Sequence, residues 1–124
     1  MKKKYKRVFS INNDLGYRNY TVRDIIQLKG KKKFTQVRVT NAEEAAAAEE
    51  ANIDLLLTGP GPEFSKIRKA AAKTFITVGV PFIQNPSKIE ATKKAFEVIE
   101  AGADSLMCQN WNLDWMKHLS KFRI

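Results

Sequence analysis

The sequence predicts an α/β fold made of parallel βα units, and three observations carry that expectation. The stretch from Asn41 to Pro62, NAEEAAAAEEANIDLLLTGPGP, reads as a helix, a tight turn, a short apolar strand and a glycine-proline loop. The apolar run Ile53–Leu57 is continuous rather than alternating, which suits a parallel strand buried on both faces. The same shape then returns: AGADSLMCQN from Ala101 repeats ANIDLLLTGP from Ala51, each copy placing a helix end, an acidic residue and a strand in one order. In a succession of such units, chemistry is expected just beyond the strand ends.

Taken in order, residues 1–20 form a basic N-terminal extension, with strand character from Tyr5 to Phe9 and a turn or loop at Asn12, Asn13, Asp14 and Gly16. Thr21 caps a short helix with Asp24 three positions on; Ile25, Ile26 and Leu28 supply its apolar face, and Gly30 ends it. Phe34–Val39 is a strand by its Phe, Thr and Val content. Asn41 caps the alanine-rich helix, with Glu44 completing a capping-box pattern, and Asn52 suits a left-handed C-terminal position. Pro62 opens the next helix, where Phe64, Ile67 and Ala70 or Ala71 recur on one face while Lys66, Arg68, Lys69 and Lys73 face water. Phe75–Val78 is a strand closed by Gly79, Val80 and Pro81. Ser87 and Glu90 offer another capping box, Ile89, Thr92, Phe96 and Ile99 trace the apolar face, and Gly102 is the C-cap. Ser105–Cys108 is a fourth strand, Leu113, Met116 and Leu119 mark a final helix, and Phe122-Arg-Ile looks like the opening of a fifth strand. Residues 21–124 thus read as a (βα)4 domain, about half of a TIM-type (βα)8 barrel. Its open sheet edges call for a partner, either a second copy or another half barrel.

Composition narrows the function classes. The 124 residues suffice for one domain, and 44% hydrophobic with 28% charged residues is ordinary for a globular protein. No apolar run is long enough for a membrane span, and MKKKYKRVFS lacks the apolar region of a secretory signal. One cysteine, Cys108, excludes an internal disulfide and fits a reducing, cytoplasmic setting. The net charge of +9 includes two clusters, Lys2–Arg7 and Lys29–Lys33. They could meet phosphate backbones or an anionic ligand. No aromatic stacking motif or nucleic-acid signature accompanies them, so solvated basic segments are the simpler reading and nucleic acid the weaker partner.

The segments YTVRDIIQLKGKKKF, ANIDLLLTG, VPFIQNP and AFEVIEAGADSLM follow one recognisable order. From Tyr20 to Ile124 the chain resembles the first half of ketopantoate hydroxymethyltransferase (3-methyl-2-oxobutanoate hydroxymethyltransferase), of the phosphoenolpyruvate mutase-like barrels. The resemblance implies a transferase of pantothenate biosynthesis. Such enzymes move a hydroxymethyl group from methylenetetrahydrofolate to 3-methyl-2-oxobutanoate, with magnesium chelating the keto acid. That metal wants hard oxygen ligands, preferably carboxylates, at the strand ends. Here the family's Gly-Asp-Ser falls on Gly59, Pro60 and Gly61, and the aspartate ending its third strand falls on Gly79. Its Val-Lys-Ile-Glu-Gly becomes Leu106-Met107-Cys108-Gln109-Asn110, so Met107 replaces the substrate-anchoring lysine and Gln109 the glutamate. The resemblance therefore implies a truncated or degenerate homologue without catalytic residues or metal ligands of its own, holding neither magnesium nor the folate by itself.

The candidate substrate-binding set is Thr58, Gly59, Gly79, Gln109 and Asn110 at the strand ends, able to meet a small keto acid or other polar ligand through amides and a hydroxyl. The alternative is a non-catalytic half-barrel module for assembly or ligand binding, these residues being ordinary loop positions. Cys108 and His118 carry no paired acid pattern that would mark a nucleophile and base, and Trp111 and Trp115 suit a covered sheet edge or an interface. Asp54 and Asp104 precede their strands, at the end of the sheet where stability roles prevail.

Overall fold

The structure, a computed structural model, describes residues 5–10, 13–80, 87–108 and 113–121. An antiparallel hairpin opens the chain, β1 (Lys6–Phe9) pairing with β2 (Leu15–Arg18) from Lys6 opposite Arg18 to Phe9 opposite Leu15. Gly16, expected in a loop, lies within β2 opposite Val8. A Cβ there would sit 3.3 Å from Arg18 Nη1, so the missing side chain makes room for the arginine to fold back along its own strand. Asn12 falls outside the described residues.

Helix α1 (Val22–Gln27) begins as the sequence predicts. Thr21 Oγ1 accepts from Asp24 N–H at 3.2 Å and Asp24 Oδ2 accepts from Thr21 N–H at 2.9 Å, a complete capping box. Its expected apolar face is not buried, however: Ile26 is 67% exposed. After Gly30, whose φ of 78° takes the left-handed conformation, β3 (Gln36–Arg38) is shorter than the Phe34–Val39 run. It is an edge strand, and pairing with one neighbour defines fewer residues.

α2 (Ala42–Glu50) carries the Asn41 cap, with Asn41 Oδ1 accepting from Glu44 N–H at 2.8 Å. The return bond expected from Glu44 reaches one residue further, to Thr40 N–H at 2.7 Å and the Thr40 hydroxyl at 3.1 Å. Asn52 ends the helix with φ 60°. β4 (Leu55–Thr58), α3 (Pro62–Ala70), β5 (Phe75–Val80), α4 (Lys88–Glu100), β6 (Ser105–Cys108) and α5 (Leu113–Leu119) follow. β5 runs two residues beyond the expected Val78, because Gly79 and Val80 pair with Met107 and Cys108. The Phe122-Arg-Ile segment falls outside the described residues.

The sheet order is β3-β4-β5-β6, all parallel, with Arg38, Leu57, Thr77 and Ser105 in one row across the four strands. Side chains alternate between faces along each strand. Leu56, Ile76 and Val78 point to the helices and form the core with Ala45, Ala48, Phe64, Ile67, Ala71 and Val98. A smaller cluster of Val80 and Ala91, with Leu106 and Cys108 against it, continues the core toward the strand ends.

Two helical faces differ from expectation. On α4 the buried stripe is Ala91, Ala95 and Val98, while Ile89 is 70% exposed. Small alanines let the helix approach the sheet, and the larger Phe96 and Ile99 flank it, lining a cleft shared with α5. On α3, Arg68 does not face water but is buried at 8% exposure. Its guanidinium lies against Asp104, an acidic partner 36 residues further along the chain.

Candidate functional site

Two of the units, α2–β4 and α4–β6, deliver their residues to the strand ends through the same sequence of parts: a side-chain-capped helix, a positive-φ exit at Asn52 or Gly102, an acidic residue and a strand. Of the predicted set, Thr58, Gly59 and Gly79 are described, whereas Gln109 and Asn110 fall outside the described residues, as does Trp111. Thr58 is buried at 6% exposure and shares the strand face of Leu56, so its hydroxyl belongs to the helix side. Gly59 and Gly79 leave space instead. A Cβ on Gly59 would meet nothing within 4 Å, and one on Gly79 would touch Met107 Cε at 3.5 Å and Thr58 O at 4.0 Å. The rim is therefore formed by two glycines and the half-exposed thioether of Met107.

Below the rim, the face of the sheet turned from the helices presents the row Arg38, Leu57, Thr77 and Ser105. Arg38 is exposed, and Leu57, Thr77 and Ser105 are half-buried. This row joins a guanidinium at one edge to two hydroxyls farther across, a set suited to a small carboxylate-bearing molecule. Sequence reading passed over these residues. The signal was the alternation within each strand, which becomes usable once the register fixes which residues are neighbours.

The well-held carboxylates lie at the opposite end of the sheet. Asp54 Oδ1 accepts from the Tyr20 hydroxyl at 3.0 Å, and Oδ2 accepts from Thr35 N–H at 3.0 Å and its hydroxyl at 3.1 Å. Burial alone would raise its pKa, but these bonds and the Lys32 ammonium 3.9 Å away outweigh burial and hold it below the usual carboxylate value. Asp104 takes two guanidinium groups, Arg18 Nε at 2.8 Å and Arg68 Nη1 at 2.9 Å, and also accepts from Ile76 N–H at 3.0 Å. Asn19 completes the tie between hairpin and sheet by accepting from Phe75 N–H at 2.9 Å and donating to Asp54 O at 2.8 Å.

Among known proteins, 3-methyl-2-oxobutanoate hydroxymethyltransferase of Kosmotoga olearia is 30% identical over 106 aligned positions, covering 68% of this chain and 40% of that enzyme. The two are distant relatives. The chain thus matches about two-fifths of the length of the hydroxymethyltransferase. No family model matches the chain. No solved structure matches it significantly.

The relationship makes the strand-end chemistry testable against the magnesium that the resemblance implies. At the ends of β4, β5 and β6 the described residues Thr58, Gly59, Gly79, Val80, Met107 and Cys108 offer one hydroxyl and two sulfur atoms but no carboxylate. A hard dication prefers several oxygen ligands, so these residues do not fit it. His118, the one histidine, has its Nε2 3.2 Å from Thr92 Oγ1 on α4.

Proposed function

We propose that this chain is a catalytically impaired homologue of ketopantoate hydroxymethyltransferase, one that binds a small keto acid at the mouth of a half barrel without transferring a hydroxymethyl group to it. The observation that carries the reading is the separation of charge along the strands. Asp54 and Asp104 are consumed by Thr35, Tyr20, Arg18 and Arg68 at the entry end, whereas glycines and Met107 stand at the exit end. Acidifying the C–H of a keto acid needs positive charge close to its carbonyl oxygen. The substitution of Met107 for lysine, together with the rim residues already described, withdraws that help, while Arg38 remains to hold a carboxylate.

The open face of the sheet supports the second half of the reading, in which two half barrels assemble. Leu55, Leu57, Thr77 and Ser105 are half-buried there, and β3 and β6 are the edges of the four-stranded sheet. Unpaired edges and a half-covered face favour association. The partner is a second copy or another barrel half.

Deuterium exchange at C3 of 3-methyl-2-oxobutanoate, followed by NMR with and without magnesium, tests the chemistry. The expected rate equals that of buffer, and enzyme-dependent exchange would overturn the claim of lost catalysis. Light scattering tests the assembly: a discrete dimer or larger ring is expected, and a monodisperse monomer would remove the half-barrel pairing.

A further inference from the structure

At the entry end of the sheet, away from the rim, a cleft of about 370 Å³ lies between β2 and the end of α3, lined by Gly16, Tyr17, Arg18, Arg68, Lys69, Ala72 and Lys73. Four of these residues are cationic and none is acidic. The two carboxylates nearest the arginines are Asp104, which takes both guanidinium groups, and Glu49, which accepts from Lys73 N–H at 2.7 Å and the Thr74 hydroxyl at 3.0 Å. Four cations against two carboxylates leave two positive charges without a counterpart in this group.

Carbonyl capping explains part of the cluster. Arg68 Nη2 donates to Ala71 O and Thr74 O, and Arg18 Nη1 donates to Ala72 O at 2.8 Å, satisfying the end of α3. It does not explain the remainder. Arg68 Nε is buried and donates to no acceptor among the described residues. Burial, opposed by the Asp104 carboxylate and aided by the Arg18 charge, pushes the Arg68 pKa down to about 10. Lys69 and Lys73 form no ion pair among the described residues, and Lys73 Nζ stands 4.9 Å from the Tyr5 ring centroid, on the hairpin side.

We propose that this cleft binds a phosphate dianion, either free or as the terminal phosphoryl group of a small organic molecule. Lys69 and Lys73 close on the anion as point charges from the rim, and the Arg18–Arg68 pair supplies a positive floor. The site is separate from the keto-acid rim and stands or falls independently of it.

Isothermal titration of the full chain with phosphate at pH 8, at constant ionic strength set with chloride, reads the site directly. One saturable site per chain is expected, and Lys69→Gln/Lys73→Gln should weaken it at least tenfold. These side chains are exposed, so the variant keeps its fold, and an unchanged thermal melt verifies that. The charge-matched control Lys93→Gln/Lys117→Gln, on α4 and α5, should stay within twofold of wild type. Absence of saturable binding, or an equal loss in the control, would overturn the proposal. Glycerol 3-phosphate in place of phosphate then separates the two sources: tighter binding assigns an organic phosphate, equal binding the free ion.

Discussion

Arg68 and Gly102 are fitted to each other across 34 residues of sequence: a Cβ on Gly102 would lie 2.9 Å from Arg68 Cδ, and Arg68 Nη1 donates to Gly102 O at 3.2 Å. Gly102 also has φ 112°, which side-chain-bearing residues rarely adopt. Its lack of a Cβ thus does two things, ending α4 and letting the arginine stem pass. Gly102→Ala should therefore cost about 1–3 kcal/mol in urea denaturation, combining backbone strain with displacement of Arg68. Gly59→Ala, where a methyl group meets open space, should stay within about 0.5 kcal/mol. Equal effects at the two positions would refute the fit.

The next prediction concerns the carboxylate that this arginine shares. The Asp104 side chain is 13% exposed and is shared by Arg18 and Arg68. Asp104→Asn keeps the shape and an acceptor for Ile76 N–H but leaves two guanidinium groups facing each other. A loss of about 2–4 kcal/mol is expected, toward the range for breaking a buried pair but reduced by the residual exposure. A change under about 1 kcal/mol, measured by the same denaturation, would show that the arginines relax into solvent and that other contacts, such as those of Asn19, tie the hairpin down.

How much of this was legible beforehand follows the range of each interaction. Caps and exits were readable because Thr21, Asn41 and Ser87 act within three residues, and Asn52 and Gly102 declare their backbone by residue type. The strand Ser105–Cys108 was read to the residue because apolar and acidic neighbours bound it on the chain itself. The hairpin partner of Tyr5–Phe9 was missed because Gly16 signals a turn locally, and only its neighbour Arg18 explains it. Arg68 was assigned to water because its partner Asp104 lies far along the chain. On α4, side-chain size misled: Ile89 and Phe96 look more like core than Ala91 and Ala95, but close approach of helix to sheet selects the small residues. The row Arg38, Thr77 and Ser105 depended on strand register, which no single segment contains.

A pH dependence follows from Asp54. Its pKa is lowered in the folded chain from the ordinary 3.8. The unfolded chain thus binds the proton more readily, so the stabilisation is fully present above the unfolded pKa and is lost as pH falls through the lower folded pKa. Asp54→Asn should flatten the acid limb of stability below about pH 4 while lowering stability at neutral pH, where the charged form now holds the Tyr20 and Thr35 donors. Denaturation curves across pH 2–7 at fixed salt, roughly the span over which a carboxylate titrates, check this. An acid limb as steep as in wild type would assign the effect to other carboxylates, such as Asp24, which the Thr21 N–H also holds low.

The proposed loss of metal chemistry predicts its own repair. The proposed correspondence sets Gly79 and Pro60 at positions where the hydroxymethyltransferase pattern would have aspartates. A Cβ on Gly79 would meet the flexible end of Met107 at 3.5 Å and Thr58 O at 4.0 Å, both ordinary contacts, so the position admits a side chain. Pro60 lies in a half-buried loop between Gly59 and Gly61, where a longer polar side chain reaches solvent or the rim. Pro60→Asp/Gly79→Asp should gain magnesium-dependent stabilisation, a shift of a few degrees at about 10 mM MgCl2, because a ligand that binds only the folded chain raises its melting temperature. Wild type should not shift at the same ionic strength. If wild type shifts as much as the variant, the rim already binds magnesium and the reading of an impaired site fails. If neither shifts and the variant still melts cooperatively, the two positions do not converge, and the likeness to the hydroxymethyltransferase does not extend to the geometry of its metal site.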